Sequence, residues 1–255
     1  MAITKQQAIK ELQTRDNFYV AYSQYTKLPY VVCDEESFND QVRVFASEEE
    51  IKAYGQELLK DKILIMGMRY NRADYPKFYG LLYSIGVNSV VWVNGKDSLE
   101  VELSDIAKRA DMSKVEESKR PLYNESFQLS AIYFMQELRK PLKKEERTVN
   151  LRELEEEVLA NLRRSDFLVA MDVNPEDPSK MNIPYLKNKE DQILQPVFSD
   201  VVELSKFTRG KKLRIMKIPF AKLTDILMEQ AYAFSFNPMG VNLILTKEQM
   251  QRIKG

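Results

Sequence analysis

The spacing of apolar and polar residues predicts the same kinds of elements twice along the chain. Residues 18–22 and 167–171 are runs of β-branched and aromatic side chains, a composition typical of strands. Residues 47–59 and 220–231 place apolar side chains at helical spacing. Because helices and strands mix without strict alternation, the pattern predicts an α+β fold with mixed sheets and flanking helices.

Short sequence blocks recur in the same order, which indicates a tandem duplication of one domain. Partner blocks lie 149 to 155 residues apart, and a spacing this regular is not expected by accident. The partners are 18–21 with 167–170, 28–30 with 183–185, 44–45 with 197–198, 65–66 with 215–216, and 86–88 with 240–242. The helix after the third block repeats Glu50, Ile51 and Tyr54 as Glu203, Leu204 and Phe207.

The repeat sets the predicted domain boundaries. We expect copy one over 1–111, a connecting segment with an amphipathic helix over 112–149, and copy two over 150–255. Copy one is expected to carry an additional hairpin, because Asn94-Gly95 between β-rich runs is a strong turn signal. The connecting helix has apolar residues on more than one face, so we expect it to join the copies or to form a homodimer.

Composition excludes several kinds of catalytic site. The chain contains no histidine and a single cysteine, so histidine-assisted nucleophiles and histidine or multi-cysteine metal sites are not available. Cys33 ends an apolar run and lies beside acidic residues that raise a thiol pKa, and we interpret it as a buried, inert thiol. We therefore predict no catalytic residues, no metal and no cofactor.

Charge and hydropathy restrict the partners. Lys plus Arg and Asp plus Glu both number 38, so no net charge attracts the chain to nucleic acid or to an anionic membrane. No segment is apolar enough for a signal peptide or a membrane span, and one cysteine agrees with a reducing compartment. We expect a soluble cytoplasmic protein of bacterial type.

Three motifs in copy two resemble a known family. They are the strand and cap at 195–200, the helix at 203–207 and the Asn-Pro-x-Gly turn at 237–242. Together they resemble the SseB (enhanced serine sensitivity) N-terminal domain family, and copy one retains looser versions. The resemblance implies the domain architecture, and it implies no catalytic residues.

Two groups of residues are candidate binding sites. Asn237, Gly240 and Asn242, with Tyr185 and Phe207, combine amides and aromatic rings as small-ligand sites do. A tight turn with core aromatics is the competing interpretation.

Arg209, Lys212 and Arg214 form a basic cluster that predicts anion binding. A solvated strand edge explains the same charges, because lysines on edge strands prevent pairing between molecules.

These observations favour a non-enzymatic interaction or regulatory protein with a protein partner. The alternative is a small-ligand-binding protein, or an enzyme, with a groove near the Asn-Pro-x-Gly turn or between the copies.

Overall fold

The computed structural model describes residues 3–173, 181–211 and 213–254. The architecture is α+β, as predicted, and the chain divides into two compact units. Unit 1 comprises Met1–Glu116 and Gln136–Val149, and unit 2 comprises Glu117–Met135 and Asn150–Gly255. The predicted connecting segment 112–149 is therefore shared between the two units.

Unit 1 is built on one mixed sheet. Its elements are α1 (Lys5–Thr14), β1 (Asn17–Ser23), β2 (Val31–Cys33), β3 (Asp40–Phe45), α2 (Glu48–Lys60), β4 (Ile65–Asn71), α3 (Tyr75–Ser84), β5 (Ser89–Asn94), β6 (Asp97–Glu102) and α4 (Leu103–Ile106). The strand order is β4-β1-β3-β5-β6, with β2 paired to β3. Only the β3–β5 pair is parallel among these described pairs.

Unit 2 carries two short sheets. Its elements, together with the helix that enters it, are α5 (Glu125–Leu138), α6 (Leu151–Arg163), β7 (Asp166–Val173), β8 (Met181–Asn182), β9 (Leu186–Lys187), β10 (Ile193–Val197), α7 (Val201–Thr208), β11 (Arg214–Pro219), α8 (Phe220–Leu223), β12 (Ala233–Phe236), β13 (Leu243–Thr246) and α9 (Lys247–Lys254). The strand orders are β13-β12-β10-β9 and β11-β7-β8. A bridge between Leu168 and Phe198 connects β7 to the end of β10.

Aromatic side chains fill both cores. In unit 1 the ring of Phe18 stacks on Tyr75 at 4.1 Å, and Trp92 is fully buried. In unit 2 Phe167 meets Phe236 edge to face at 5.0 Å. Burying several such rings on one face of each sheet supplies most of the stabilisation of each unit.

Most predicted elements are confirmed. The strands predicted at 18–22 and 167–171 are β1 and β7. The helix predicted at 47–59 is α2, and Ser47 is its N-cap. The helix predicted over 220–231 is wrong in extent, because α8 ends at Leu223 and a short 3₁₀ turn follows.

The strand registers correct two of the repeat assignments. Gly67 lies opposite Ala21 in β1, and Ile215 lies opposite Ala170 in β7. Relative to the predicted partners Ala21 and Ala170, Ile215 therefore has the register position of Gly67, two residues after the predicted partner Ile65. The block 86–88 precedes β5, whereas 240–242 follows β12, so these two blocks are not equivalent.

The hairpin at Asn94-Gly95 exists, but the prediction that it is additional to copy one is wrong. β5 and β6 pair antiparallel across this turn, and β12 and β13 pair antiparallel across the turn at 237–242. Both units thus end their strand order in an antiparallel pair. No helix in the described ranges is long and apolar enough to cross a membrane.

Candidate functional site

The Asn-Pro-x-Gly turn is anchored by Asn237, whose side chain is completely buried. Its Oδ1 accepts from the main-chain N–H of Ser199 at 2.8 Å. Its Nδ2 donates to Ser199 Oγ at 2.8 Å and to Gln128 Oε1 at 3.0 Å. The backbone of Asn237 lies at φ 50°, in the left-handed region that asparagine tolerates better than most residues.

Asp200 extends this contact into a buried polar network. Its Oδ1 caps α7 by accepting from the main-chain N–H of Val202 and Glu203, at 2.8 and 2.9 Å. Its Oδ2 accepts from Gln128 Nε2 at 3.0 Å and from Ser199 Oγ at 2.6 Å. The network explains why the strand, helix and turn motifs occur together, since each supplies part of it.

Glu203, beside this network, has a buried carboxylate oxygen without a hydrogen bond among the described residues. The residue is 1% exposed, one carboxylate oxygen pairs with Lys206, and Oε2 has no hydrogen-bond partner in the described structure. Burial, with the nearby Asp200 charge, raises the pKa of Glu203 above its ordinary range, although Lys206 opposes the shift. A Cβ placed on Gly240 would lie 3.0 Å from Oε2, so glycine at this position leaves room for the carboxyl group.

Among the other predicted ligand residues, Gly240 and Asn242 contact Asn237 directly, because their main-chain N–H groups donate to its main-chain oxygen at 2.9 and 3.0 Å. Asn242 is half-buried at φ 47° and accepts from Ser235 Oγ at 2.8 Å. Tyr185 is 53% exposed and precedes β9, on the opposite side of β10 from β12. Phe207 is half-buried, with its ring 5.2 Å from that of Phe198. Ligand binding by this group stays a prediction, and a ligand reaching Asn237 has to displace its internal hydrogen bonds.

The predicted anion site is only partly described. Arg209 is exposed and ends α7 in a left-handed conformation, and Arg214 is exposed at the start of β11. Lys212 lies outside the described residues. Anion binding by this cluster also stays a prediction.

A groove of about 650 Å³ in unit 1 is a site that the sequence interpretation missed. It lies between one side of α2 and the edge strand β4. The residues that line it include Ile51, Gly55 and Leu59 from α2 and Ile65, Gly67 and Arg69 from β4. Leu59 is 56% exposed, so the groove presents apolar surface to solvent.

Two glycines keep the groove open. A Cβ on Gly67 would lie 3.3 Å from Ile51 Cδ1, and a Cβ on Gly55 would lie 3.4 Å from Ile65 Cγ1. Larger side chains at either position would project into the space between helix and strand. A glycine inside a strand often marks a close approach by another group, and that was the available sequence signal.

The outer edge of β4 presents unpaired main-chain groups. The main-chain oxygen of Leu64 accepts from the N–H of Gln24, and the N–H of Arg72 donates to the oxygen of Asp16. In an antiparallel ladder, residues that bond to the neighbouring strand alternate with residues whose N–H and C=O point away from it. The N–H and C=O of Gly67 and Arg69 consequently point away from β1. Within the described residues these groups have no hydrogen-bond partner.

Three charged side chains, Glu48, Lys52 and Arg69, line the groove. Lys52 forms a salt bridge with Glu48 at 2.7 Å, and this contact lowers the pKa of Glu48. Arg69 forms no salt bridge within the described part of the chain, but its charge also helps to lower the pKa of Glu48. Two cations, Lys52 and Arg69, thus line the groove beside the carboxylate of Glu48, which leaves excess positive charge for a ligand that carries a carboxylate.

Cys33 remains a poor nucleophile in the structure. The prediction that Cys33 is buried is wrong, because the residue is exposed at the end of β2. Residual desolvation, together with Asp40 and Asp34, still raises the pKa of its thiol. At neutral pH the thiol form therefore predominates.

The comparison with protein families matches the C-terminal part of the chain. Residues 146–252 match the family model of the SseB protein N-terminal domain. This segment contains Asp200, Glu203 and Asn237, although Gln128 of the buried network lies before it, so the match supports the resemblance of these three motifs to the family. No curated protein matches the chain.

Two solved structures are similar over most of their length. Tic22 from Plasmodium falciparum is 12% identical, with 96% of this chain and 94% of that chain covered and a TM-score of 0.23. Anabaena Tic22 (protein transport) is 10% identical, with 85% and 83% covered and a TM-score of 0.21. Scores this low support no conclusion about fold or function.

Proposed function

We propose that the chain is a non-enzymatic interaction protein, made of two diverged copies of one domain, whose unit 1 groove binds a protein partner. The observation that carries this proposal is the open apolar groove beside unpaired main-chain groups of β4. Exposed apolar surface together with an unpaired strand edge is characteristic of a site that another chain covers.

Strand pairing supports the duplication. The order β4-β1-β3-β5-β6 in unit 1 corresponds to β11-β7-β10-β12-β13 in unit 2, with the Leu168–Phe198 bridge as the β7–β10 contact. In unit 1 Tyr19 lies opposite Phe45 at the equivalent place. The parallel pairs β3–β5 and β10–β12 also correspond.

A contact between helix and turn recurs in both units. Glu50 of α2 accepts a hydrogen bond from the main-chain N–H of Gly95 in the β5–β6 turn. Glu203 of α7 packs against Gly240 in the β12–β13 turn. Glu50 and Glu203 are partners in the sequence repeat, so the contact supports a common origin for the two domains.

The proposed copies differ where the groove lies. Thr208 and Ile215 are the counterparts of Gly55 and Gly67, so larger side chains replace both glycines in unit 2. Phe207 and Leu213 pack on the corresponding apolar cluster of unit 2. This divergence supports partner binding by unit 1, and cytoplasmic location remains part of the same proposal.

Site-specific photo-cross-linking in the native host tests the function. A benzoylphenylalanine at exposed Gln56, which lines the groove, is expected to give a discrete protein adduct. The same residue at exposed Lys77 on α3 is the matched control and is expected to give none. Leu59→Glu should remove the adduct, because it places a charge in the apolar groove. No adduct from Gln56, or equal adducts from both positions, contradicts the proposal.

A further inference from the structure

We infer that the occupant of the groove is an extended segment of the partner, which adds to the edge of β4 as a further strand. This inference rests on the proposed function and specifies the chemistry of the partner. Gly67 and Arg69 each direct an N–H and a C=O outward, and an extended chain satisfies such pairs at the two-residue repeat of a β-ladder. A compact small molecule does not reproduce that repeat.

The sequence of β4 leaves this edge unprotected. Between Ile65 and Asn71 the strand contains one charged residue and no proline. The counterpart edge β11 contains Arg214 and Lys217 and ends in Pro219, all features that oppose strand addition. Of these two edge strands, β4 is the one suited to receive a partner.

The side chains around the edge specify an apolar occupant with one carboxylate. Ile65, Gly67 and Arg69 share the face of β4 that lines the groove. An added strand directs every second side chain over this face, where Gly55 and Leu59 of α2 leave room for apolar groups. Lys52 and Arg69 share the single carboxylate of Glu48 in the groove lining, so the complementary side chain of the occupant is acidic.

Peptide binding to the full chain tests the inference. The probe is a fluorescein-labelled seven-residue peptide, Thr-Val-Thr-Glu-Thr-Val-Thr, whose two valines and central glutamate share one face of an extended strand. Fluorescence anisotropy measures its affinity. Two further peptides carry N-methyl groups on alternate amides, one on the odd amides and one on the even. Strand addition predicts that one of these loses binding at least tenfold while the other binds nearly as well as the parent, because only one set faces β4.

Charge reversal provides the second test. Arg69→Glu is expected to weaken binding of the parent peptide about tenfold or more, and a peptide with lysine in place of glutamate should recover it. Arg69→Lys is the conservative control and should retain most of the affinity. Circular dichroism of each variant checks that the exposed substitution leaves the fold intact.

The outcomes separate this inference from the proposed function. Equal binding by both N-methylated peptides, or no binding by any peptide, overturns strand addition. If the adduct from Gln56 is still formed in that case, the groove remains an interaction site with a different occupant. If the adduct is absent, the proposed function fails as well.

Discussion

Removing the side chain of Asn237 should be among the most damaging single changes in unit 2. Asn237→Ala deletes three hydrogen bonds, to Ser199 N–H, Ser199 Oγ and Gln128 Oε1, at a position with no solvent exposure. It also leaves alanine at φ 50°. Both effects act in the folded state, so the free energy of unfolding should fall.

The size of the loss follows from the groups left unpaired. A buried main-chain N–H without a partner costs about 1–3 kcal/mol, and the freed Gln128 oxygen adds a similar amount where no water enters. The left-handed backbone adds a smaller cost, because Asn237 already carries a Cβ there and asparagine only tolerates this region better than alanine does. We expect a loss of about 3–5 kcal/mol. That is a large part of the roughly 5–15 kcal/mol of a typical domain.

Urea denaturation followed by far-UV circular dichroism measures this loss. Asn237→Gly is the matched variant, because it removes the same hydrogen bonds but tolerates the backbone, and it should recover about 1 kcal/mol relative to alanine. Asn242→Ala controls for the turn, since Asn242 shares the left-handed conformation but makes a bond to Ser235 outside the network. A loss below about 1 kcal/mol for Asn237→Ala, or an equal loss for Asn242→Ala, refutes the argument.

Two further predictions concern the carboxyl group beside the turn. Gly240→Ala places a Cβ 3.0 Å from Glu203 Oε2 and should lower the free energy of unfolding by about 1–2 kcal/mol in the same urea assay; a gain in stability contradicts it. The pKa of Glu203 is raised in the folded state, so between pH 4.5 and the folded pKa the folded protein binds more protons than the unfolded protein. The free energy of unfolding therefore falls as pH rises from 4.5 through the folded pKa. Glu203→Gln should therefore gain stability relative to the parent chain as pH rises in this window, and a pH-independent difference excludes the shift.

The strands at 18–22 and 167–171 could be predicted from the sequence, because they show the apolar pattern that buried strands require. Phe18 and Phe167 are both fully buried in them. Identical short blocks were less reliable guides. Ile65 and Ile215 match as letters, but the ladder pairs Gly67 with Ala21, because hydrogen-bond register and not residue identity fixes equivalence in a sheet.

The turn illustrates why a motif can be identified while its role is not. Asn237 was recognised as a turn former, yet its contact with Gln128 joins residues 109 positions apart. No local pattern contains that contact. Glycine in such a turn commonly provides a positive φ, but here Asn237 and Asn242 have the left-handed backbone and Gly240 provides space for Glu203.

The groove depends on the absence of side chains at two glycines, Gly55 and Gly67, and composition and periodicity do not reveal such a space. Gly55 weakens a helix and Gly67 weakens a strand, each by roughly 0.5–1 kcal/mol relative to alanine. Neither has a positive φ that demands glycine, and each would contact a side chain across the groove if it carried a Cβ. Their unit 2 counterparts, Thr208 and Ile215, show that the same proposed domain accommodates larger side chains. The backbone therefore does not explain why glycine stands at these two positions despite its cost in stability. An occupant of the groove beside β4 does explain it, because it needs the space that the glycines leave.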